Sequence, residues 1–179
     1  MWKNVFPEYA VKQALHESDI ERGDEHIITA MQSELLSRIL ISILKGAIIN
    51  CINCKRKYIN EKDIEIGKSF CIFPSKSPPS NAGSLIDSNE FGNLVDDHIH
   101  LCIFHVEKNM DIQLEKEYRI SQESLNVLQK ECESCIRGFV NKLKYHTSVV
   151  NFRQFEVLMG NIYGDSSYST FEHGYSPYN

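Results

Sequence analysis

The sequence predicts an all-α protein made of two tandem units, each with a short, a long and a second short helix, which pair with each other within one chain. A long amphipathic run extends from Asp24 to about Asn53, and a helix of that length spans about 40 Å. So long a helix buries its apolar side chains only if it crosses a partner. A Pro- and Ser-rich stretch starting at Pro74 divides the chain, and the second half repeats the order of the first.

The first unit, residues 1–74, contains three predicted helices. A short helix follows Pro7, and after a loop Asp24 is suited to cap the start of the long helix. Asn60 starts the third helix, with Asp63 at the reciprocal position of a capping box. Along the long helix, apolar residues recur at three- and four-residue spacing, at Ile27, Ile28, Met31, Leu35, Ile39, Leu40, Ile43, Ala47 and Ile48.

The second unit, residues 94–163, follows the same order. A short helix is predicted from Val95 to about Lys108, and after a loop Ser121 caps a second long helix. Asn151, with Gln154 three residues later, caps the last helix. The repeat therefore predicts a pseudo-dimer, in which each unit covers the apolar face of the other.

Two segments lack helical periodicity. Residues 75–93 begin with Ser75-Lys76-Ser77-Pro78-Pro79 and are predicted to be a linker between the units. Residues 164–179 are rich in Tyr, Ser and Gly and are predicted to form a C-terminal tail.

Charge is unevenly distributed along the 179 residues. The formal net charge is −5, with +1 on residues 1–76 and −6 on residues 77–179. A protein that coats DNA by itself is normally strongly basic. Contacts with DNA are therefore few and focused, or partners supply positive charge, or the protein does not bind DNA.

The sequence also predicts a location away from membranes and the secretory pathway. The first residues lack the apolar stretch of a signal peptide, and six cysteines without such a signal favour free thiols over disulfides. The longest apolar run is interrupted by Ser37, Arg38, Ser42 and Lys45, which argues against a membrane span.

Several short segments resemble the core histones. Glu21-Arg22-Gly23-Asp24 is similar to their first loop and the cap of their long helix, and residues 56–64, RKYINEKDI, to their second loop and third helix. Tyr118-Arg119-Ile120-Ser121 fits the first loop of a second copy. Met31-Gln32-Ser33 and Ile72-Phe73-Pro74 resemble the histone that comes first in fused viral pairs.

Over about residues 5–163, the chain resembles a histone doublet, the fused form found in some large DNA viruses. The resemblance implies two tandem histone folds that package double-stranded DNA in a nucleosome-like particle, without a cofactor. It implies other histones or histone doublets as partners, and a location in the virion, the host nucleus or a viral factory.

The second unit departs from the histone pattern. Its second loop, residues 146–150, has no Arg-Lys pair, and Gln154 stands where Asp is expected. Its long helix is about one turn short, and long basic tails are absent from the sequence. The chain therefore resembles a reduced and acidic doublet. In its second unit, the loop at residues 146–150 is expected to contact DNA more weakly than the matching loop of the first unit.

Five basic residues are the candidates for DNA contact. Arg22 and Arg119 lie in the first loops, where a guanidinium can enter a minor groove or bind phosphate. Lys55, Arg56 and Lys57 form a basic edge where a loop meets a helix start. The alternative for each of these residues is a solvent-exposed charge that does not contact DNA.

The resemblance also implies that Arg56 pairs with Asp63 in a structural salt bridge.

A metal site is an alternative function for some of the His and Cys residues. His98, Cys102 and His105 share one face of a predicted helix. The pairs Cys51/Cys54 and Cys132/Cys135 have zinc-ligand spacing, but they fall within predicted helices, where core packing is the alternative.

The sequence contains no phosphate-binding Gly-rich loop, nucleophile elbow or paired catalytic carboxylates, and no enzymatic activity is predicted. One rival to DNA packaging remains open. The acidic balance favours a histone-fold interaction module that binds proteins, in transcription or virion assembly, and barely contacts DNA.

Overall fold

A computed structural model describes residues 10–21, 23, 25–80, 82–114 and 117–164. The predicted all-α class is confirmed, because helices account for most of the described residues. In chain order the elements are α1 (Ala10–Glu17), α2 (Glu25–Asn53), β1 (Tyr58–Ile59), α3 (Glu61–Ser69), α4 (Ser88–Met110), β2 (Arg119–Ile120), α5 (Gln122–Lys144) and α6 (Phe152–Tyr163).

Local capping sets the starts of three helices, as predicted. The Asn60 side chain accepts a hydrogen bond from the Asp63 N–H at 3.1 Å, and Asp63 Oδ2 accepts from the Asn60 N–H at 2.9 Å. Ser121 Oγ caps α5 through the Ser124 N–H, and Asn151 Oδ1 caps α6 through the Gln154 N–H. Asp24 and most of the tail, residues 165–179, lie outside the described residues.

The linker boundary and the first helix of the second unit were predicted wrongly. Helix α4 begins at Ser88, inside the predicted linker 75–93, and its 23 residues equal the length of α5. Asp87 starts it, because its carboxylate accepts from the Asn89 and Glu90 N–H groups at 3.0 and 3.2 Å. Phe91 and Leu94 are buried one helical turn apart. The second unit is therefore long–long–short.

The rest of the linker lies along α5, and we call residues 74–80 and 82–87 the strap. The Lys76 N–H donates to the Ser134 carbonyl at 3.0 Å, and Gln129 Nε2 donates to the Ile86 carbonyl at 2.7 Å. Leu85 and Ile86 are buried. The strap has no regular secondary structure, and hydrogen bonds to α5 hold its backbone in place.

A glycine permits the close approach of the strap to α5. A Cβ placed on Gly138 would lie 2.6 Å from the Ser75 nitrogen and would also overlap the Pro74 carbonyl. Any larger residue at this position would push the strap away from the helix.

The two halves share one hydrophobic core. Helix α2 contacts α4, α5 and α6, while α5 contacts α1, α2 and α3, so each long helix packs against elements of the other half. The predicted contact between the two long helices within one chain is therefore present. The largest fully buried side chains come mostly from α2: Leu35, Leu36, Ile39, Leu40, Ile43, Leu44 and Ile48, with Phe91 and Phe139 from the second half.

Polar contacts also join the halves. Arg38 Nη1 on α2 donates to the Gly164 carbonyl at 3.0 Å, at the end of α6. Lys68 on α3 forms an ion pair with Glu131 on α5 at 2.5 Å. These contacts orient α3 and α6 on the long helix of the opposite half.

By length and composition alone, His26–Asn53 is long and apolar enough to cross a membrane, so the expectation that this helix does not span one stays a prediction. However, 67% of its most apolar window is buried within the fold. Burial of this extent is what packing against the other helices of the fold produces.

Candidate nucleic-acid interface at the paired loops

The loop after α2 pairs with the loop before α5. Strands β1 and β2 are parallel, with Tyr58 opposite Arg119 and Ile59 opposite Ile120. The Arg119 N–H donates to the Lys57 carbonyl at 3.0 Å, and the Ser121 N–H donates to the Ile59 carbonyl at 3.3 Å. We call residues 55–59 with 118–120 the basic ribbon. It brings two predicted DNA-binding segments, distant in sequence, to one edge.

A second, reciprocal junction joins the other two loops. Glu21 forms a parallel bridge with Val149, in which the Glu21 N–H donates to the Ser148 carbonyl and the Val150 N–H donates to the Glu21 carbonyl, both at 3.0 Å. Gly23 has φ +68°, and a Cβ there would lie 2.6 Å from the Val150 oxygen. Arg22, predicted to contact DNA, lies outside the described residues.

The predicted ion pair between Arg56 and Asp63 is present and bidentate. Arg56 Nη1 and Nη2 donate to the two carboxylate oxygens of Asp63 at 2.9 and 2.8 Å. Asp63 is fully buried, and it also accepts from Asn50 Nδ2 at 2.7 Å and from the Cys51 thiol at 3.3 Å. Arg56 Nη1 also donates to the Tyr58 carbonyl at 3.0 Å. The network therefore fixes β1 to the ends of α2 and α3.

This network determines the protonation of its members. Burial by itself raises the pKa of the Asp63 carboxyl, but the hydrogen bonds from Arg56, Asn60, Asn50 and Cys51 outweigh it and hold that pKa well below its usual range. Burial and the neighbouring Asp63 carboxylate raise the pKa of the Cys51 thiol to about 12. Asp63 is thus a stable anion, and Cys51 is a neutral hydrogen-bond donor rather than a nucleophile or metal ligand.

The other basic residues of the ribbon face solvent. Lys55 has φ 55°, a left-handed conformation that turns the chain out of α2, and the Arg56 N–H closes the helix end on the Cys51 carbonyl at 2.9 Å. Lys55, Lys57 and Arg119 are exposed. Other exposed charged residues that flank the ribbon in sequence are Glu61, Lys62, Glu117 and Glu123. The edge is therefore only modestly positive.

Sequence reasoning missed residues at both junctions. Tyr58 is 53% exposed, and its position directly after the candidate DNA-binding residues Arg56 and Lys57 could have indicated that it belongs to the site. Lys144 ends α5 and Arg153 lies in the first turn of α6, so both flank the second loop of the second half, and both are exposed. Their positions beside the loop could have been read from the predicted helix ends.

The candidate metal ligands are not brought together. No group of three or more His, Cys, Asp or Glu side chains among the described residues could hold a metal ion. Cys102 is buried, and its thiol donates to the Ile41 carbonyl at 3.8 Å. Cys132 and Cys135 lie within α5 as buried free thiols. Packing rather than coordination accounts for these positions.

His98 is fully buried between α2 and α4. Its Nδ1 lies 2.8 Å from the Leu94 carbonyl, which can only accept, and its Nε2 lies 3.0 Å from Ser37 Oγ. Nδ1 therefore carries the proton and Nε2 accepts from the serine hydroxyl. Burial lowers the pKa of His98 to about 4.

Acidification is expected to destabilise the protein through His98. The unfolded chain binds a proton at His98 below about pH 6.5, whereas the folded chain resists it until about pH 4, so stability is lost as the pH falls through this window. The loss amounts to about 3 kcal/mol. Urea unfolding of the wild type and of His98→Gln between pH 7 and pH 4 measures it. The variant should show a flatter pH dependence, and the exposed control His146→Gln should not; equal slopes in all three would contradict the assignment.

No protein-family model matches the chain, and no curated protein sequence matches it. The structure itself describes a helical protein of two packed halves, which are joined by two reciprocal loop pairs.

Proposed function

We propose that the chain is a doublet of two histone folds that binds double-stranded DNA without sequence specificity and packages it with other histones or histone doublets. The observation that supports this most directly is the reciprocal loop pairing. Each half contributes one loop to each junction, and this arrangement supports the internal pseudo-dimer that the resemblance to histones implies. The Arg56–Asp63 pair supports the same assignment.

The basic ribbon is the proposed DNA-binding edge. Lys55, Lys57 and Arg119 supply three exposed cationic groups, whereas both terminal nitrogens of Arg56 bind Asp63. Helices α3 and α5 both begin directly after the ribbon, so the positive ends of two helix dipoles lie at the same edge. Phosphate contacts of this kind position a protein on DNA without reading its sequence.

Replacing Lys55, Lys57 and Arg119 together by alanine is expected to reduce the salt dependence of duplex binding. Each lost phosphate contact lowers the slope of log K against log salt by about 0.9, so the triple variant should lose about 2 to 3. Gel retardation or fluorescence anisotropy over a series of salt concentrations measures the slope, with the protein alone and with partner histones.

A charge-matched control separates a local site from the effect of net charge. Lys12, Lys108 and Lys130 lie outside the ribbon, on α1, α4 and α5, and their replacement by alanine changes the net charge by the same amount. The control should retain most of the wild-type slope. Equal losses in the two triple variants would argue against a focused edge, and failure to bind duplex at low salt would overturn the proposal.

A protein-interaction module is the second candidate function. The net charge of −5 opposes DNA binding, and two large apolar residues lie exposed just after α3: Phe70, at 77%, and Ile72, at 93%. Exposed apolar residues of this size favour contacts with other proteins. If the chain fails to retard duplex DNA alone and with partner histones, this second function is the one supported.

A further inference from the structure

The two faces of the basic ribbon differ in chemistry. Ile59 is buried and Ile120 is partly buried against the core. Tyr58 and Arg119 alternate with them and point to the other face, where both are exposed, Tyr58 by 53%. Since their Cα positions are directly opposite each other in the parallel register, the two side chains extend from neighbouring positions on the same exposed face.

This pair is chemically suited to a nucleobase. Every base has a flat π face that can stack on a tyrosine ring, and an arginine beside it can stack or bind the adjoining phosphate. In a duplex the bases already stack on each other, so the ring reaches only the backbone. An unpaired base has a free face, and the ribbon is open enough to receive it.

Because the charge around the ribbon is only modestly positive, stacking of a base on Tyr58 would add affinity that phosphate contacts alone do not supply. The chain is acidic overall, and Glu61 and Glu117 are exposed close in sequence to β1 and β2. Phosphate attraction is correspondingly weak and decreases further with salt. Stacking on an uncharged ring releases no counterion, so it contributes equally at low and at high salt.

We propose that Tyr58 and Arg119 form a stacking platform for unpaired bases, so that the ribbon binds single-stranded DNA more tightly than duplex of the same sequence. This inference rests on the proposed nucleic-acid binding at the ribbon and goes beyond duplex packaging, because it adds a second ligand, unpaired DNA, at the same edge. Lys55 and Lys57 would bind the phosphates of the same strand on either side of the stacked base.

Fluorescence anisotropy with one labelled oligonucleotide, single-stranded and annealed to its complement, tests the platform. Tyr58→Thr is expected to weaken single-strand binding roughly 5- to 100-fold with an unchanged salt slope, and to change duplex binding less than about twofold. Tyr58→Phe should retain the wild-type affinity, because the ring and not the hydroxyl stacks. Tyr145→Thr, which removes a ring that is 77% exposed at the end of α5, is the matched control and should have no effect.

The outcomes separate this inference from the function on which it rests. Duplex binding that depends on the ribbon cations, with no loss of single-strand affinity in Tyr58→Thr, would overturn the platform and leave the proposed function intact. Absence of binding to either form would overturn both. Thermal unfolding of each variant excludes misfolding, and Tyr58→Thr should fold, because the network uses the carbonyl of Tyr58 and not its ring.

Discussion

Asp63→Ala is expected to lower the free energy of unfolding by about 3 kcal/mol, because it removes a buried carboxylate that accepts several hydrogen bonds, although its ion-pair partner Arg56 is only half-buried. The carboxylate is fully buried and accepts hydrogen bonds from Arg56, Asn50, Cys51 and the backbone of Asn60. Alanine would leave all four donors without this acceptor. Urea unfolding monitored by circular dichroism gives the difference directly.

Lys62→Ala is the matched control for this variant, since Lys62 neighbours Asp63 on α3 but is exposed. Its effect should remain within about 0.5 kcal/mol. A cost below about 1 kcal/mol for Asp63→Ala would show that the network contributes little to stability.

The pH dependence of the same variant provides a separate check. Because the pKa of Asp63 is lower in the folded chain than its ordinary value of 3.8, its stabilisation is fully present above that pH and is lost as the pH falls through the folded pKa. The stability difference between wild type and Asp63→Ala should therefore shrink only below about pH 4. The loss through His98 occurs at higher pH, between about 6.5 and 4, so the two groups are distinguishable.

Arg137→Met is expected to cost about 3–5 kcal/mol and to release the strap from α5. Arg137 is 4% exposed and donates to both carboxylate oxygens of Glu17, at 2.8 and 3.2 Å. It also lies 4.0 Å from Glu133 and donates to the Gly83 carbonyl at 3.2 Å. Methionine fills a similar volume but leaves two buried carboxylates without a cation.

Glu133 explains why the strap is affected. Its carboxylate accepts from the Ile86 N–H of the strap at 3.1 Å and from Gln129 Nε2 at 3.0 Å. Loss of the nearby Arg137 cation would therefore disturb the same carboxylate that holds the strap on α5. Limited proteolysis should cut within the strap faster in Arg137→Met than in the wild type. Arg153→Met, at an exposed position on α6, is the control and should leave both stability and cleavage unchanged. Unchanged cleavage in Arg137→Met would contradict the role of this network.

Local signals accounted for the helix starts that were predicted correctly. Asn60, Ser121 and Asn151 each act on N–H groups three residues away, so their effect does not depend on the rest of the fold. The start of α4 was missed although Asp87 caps it locally, because the polar composition of Ser88-Asn89-Glu90 resembles that of a linker. Burial of Phe91 and Leu94 against the rest of the core decides that this segment is helical.

The candidate site was only partly predictable for the same reason. The pairing of Arg56 with Asp63, seven residues further along the chain, was expected from the resemblance to histones and is present. Arg119 and Tyr58 are 61 positions apart, and only the parallel register of β1 and β2 places them side by side. Glu17 and Arg137, separated by 120 positions, carried no sequence signal of their contact.

The sequence by itself determined the helical class and the capped starts of α3, α5 and α6, because apolar spacing and capping depend on neighbouring residues. Only the tertiary structure decided the docking of the strap and the composition of the basic ribbon. Each of these depends on contacts between segments far apart in the chain, where burial and hydrogen bonding override local composition.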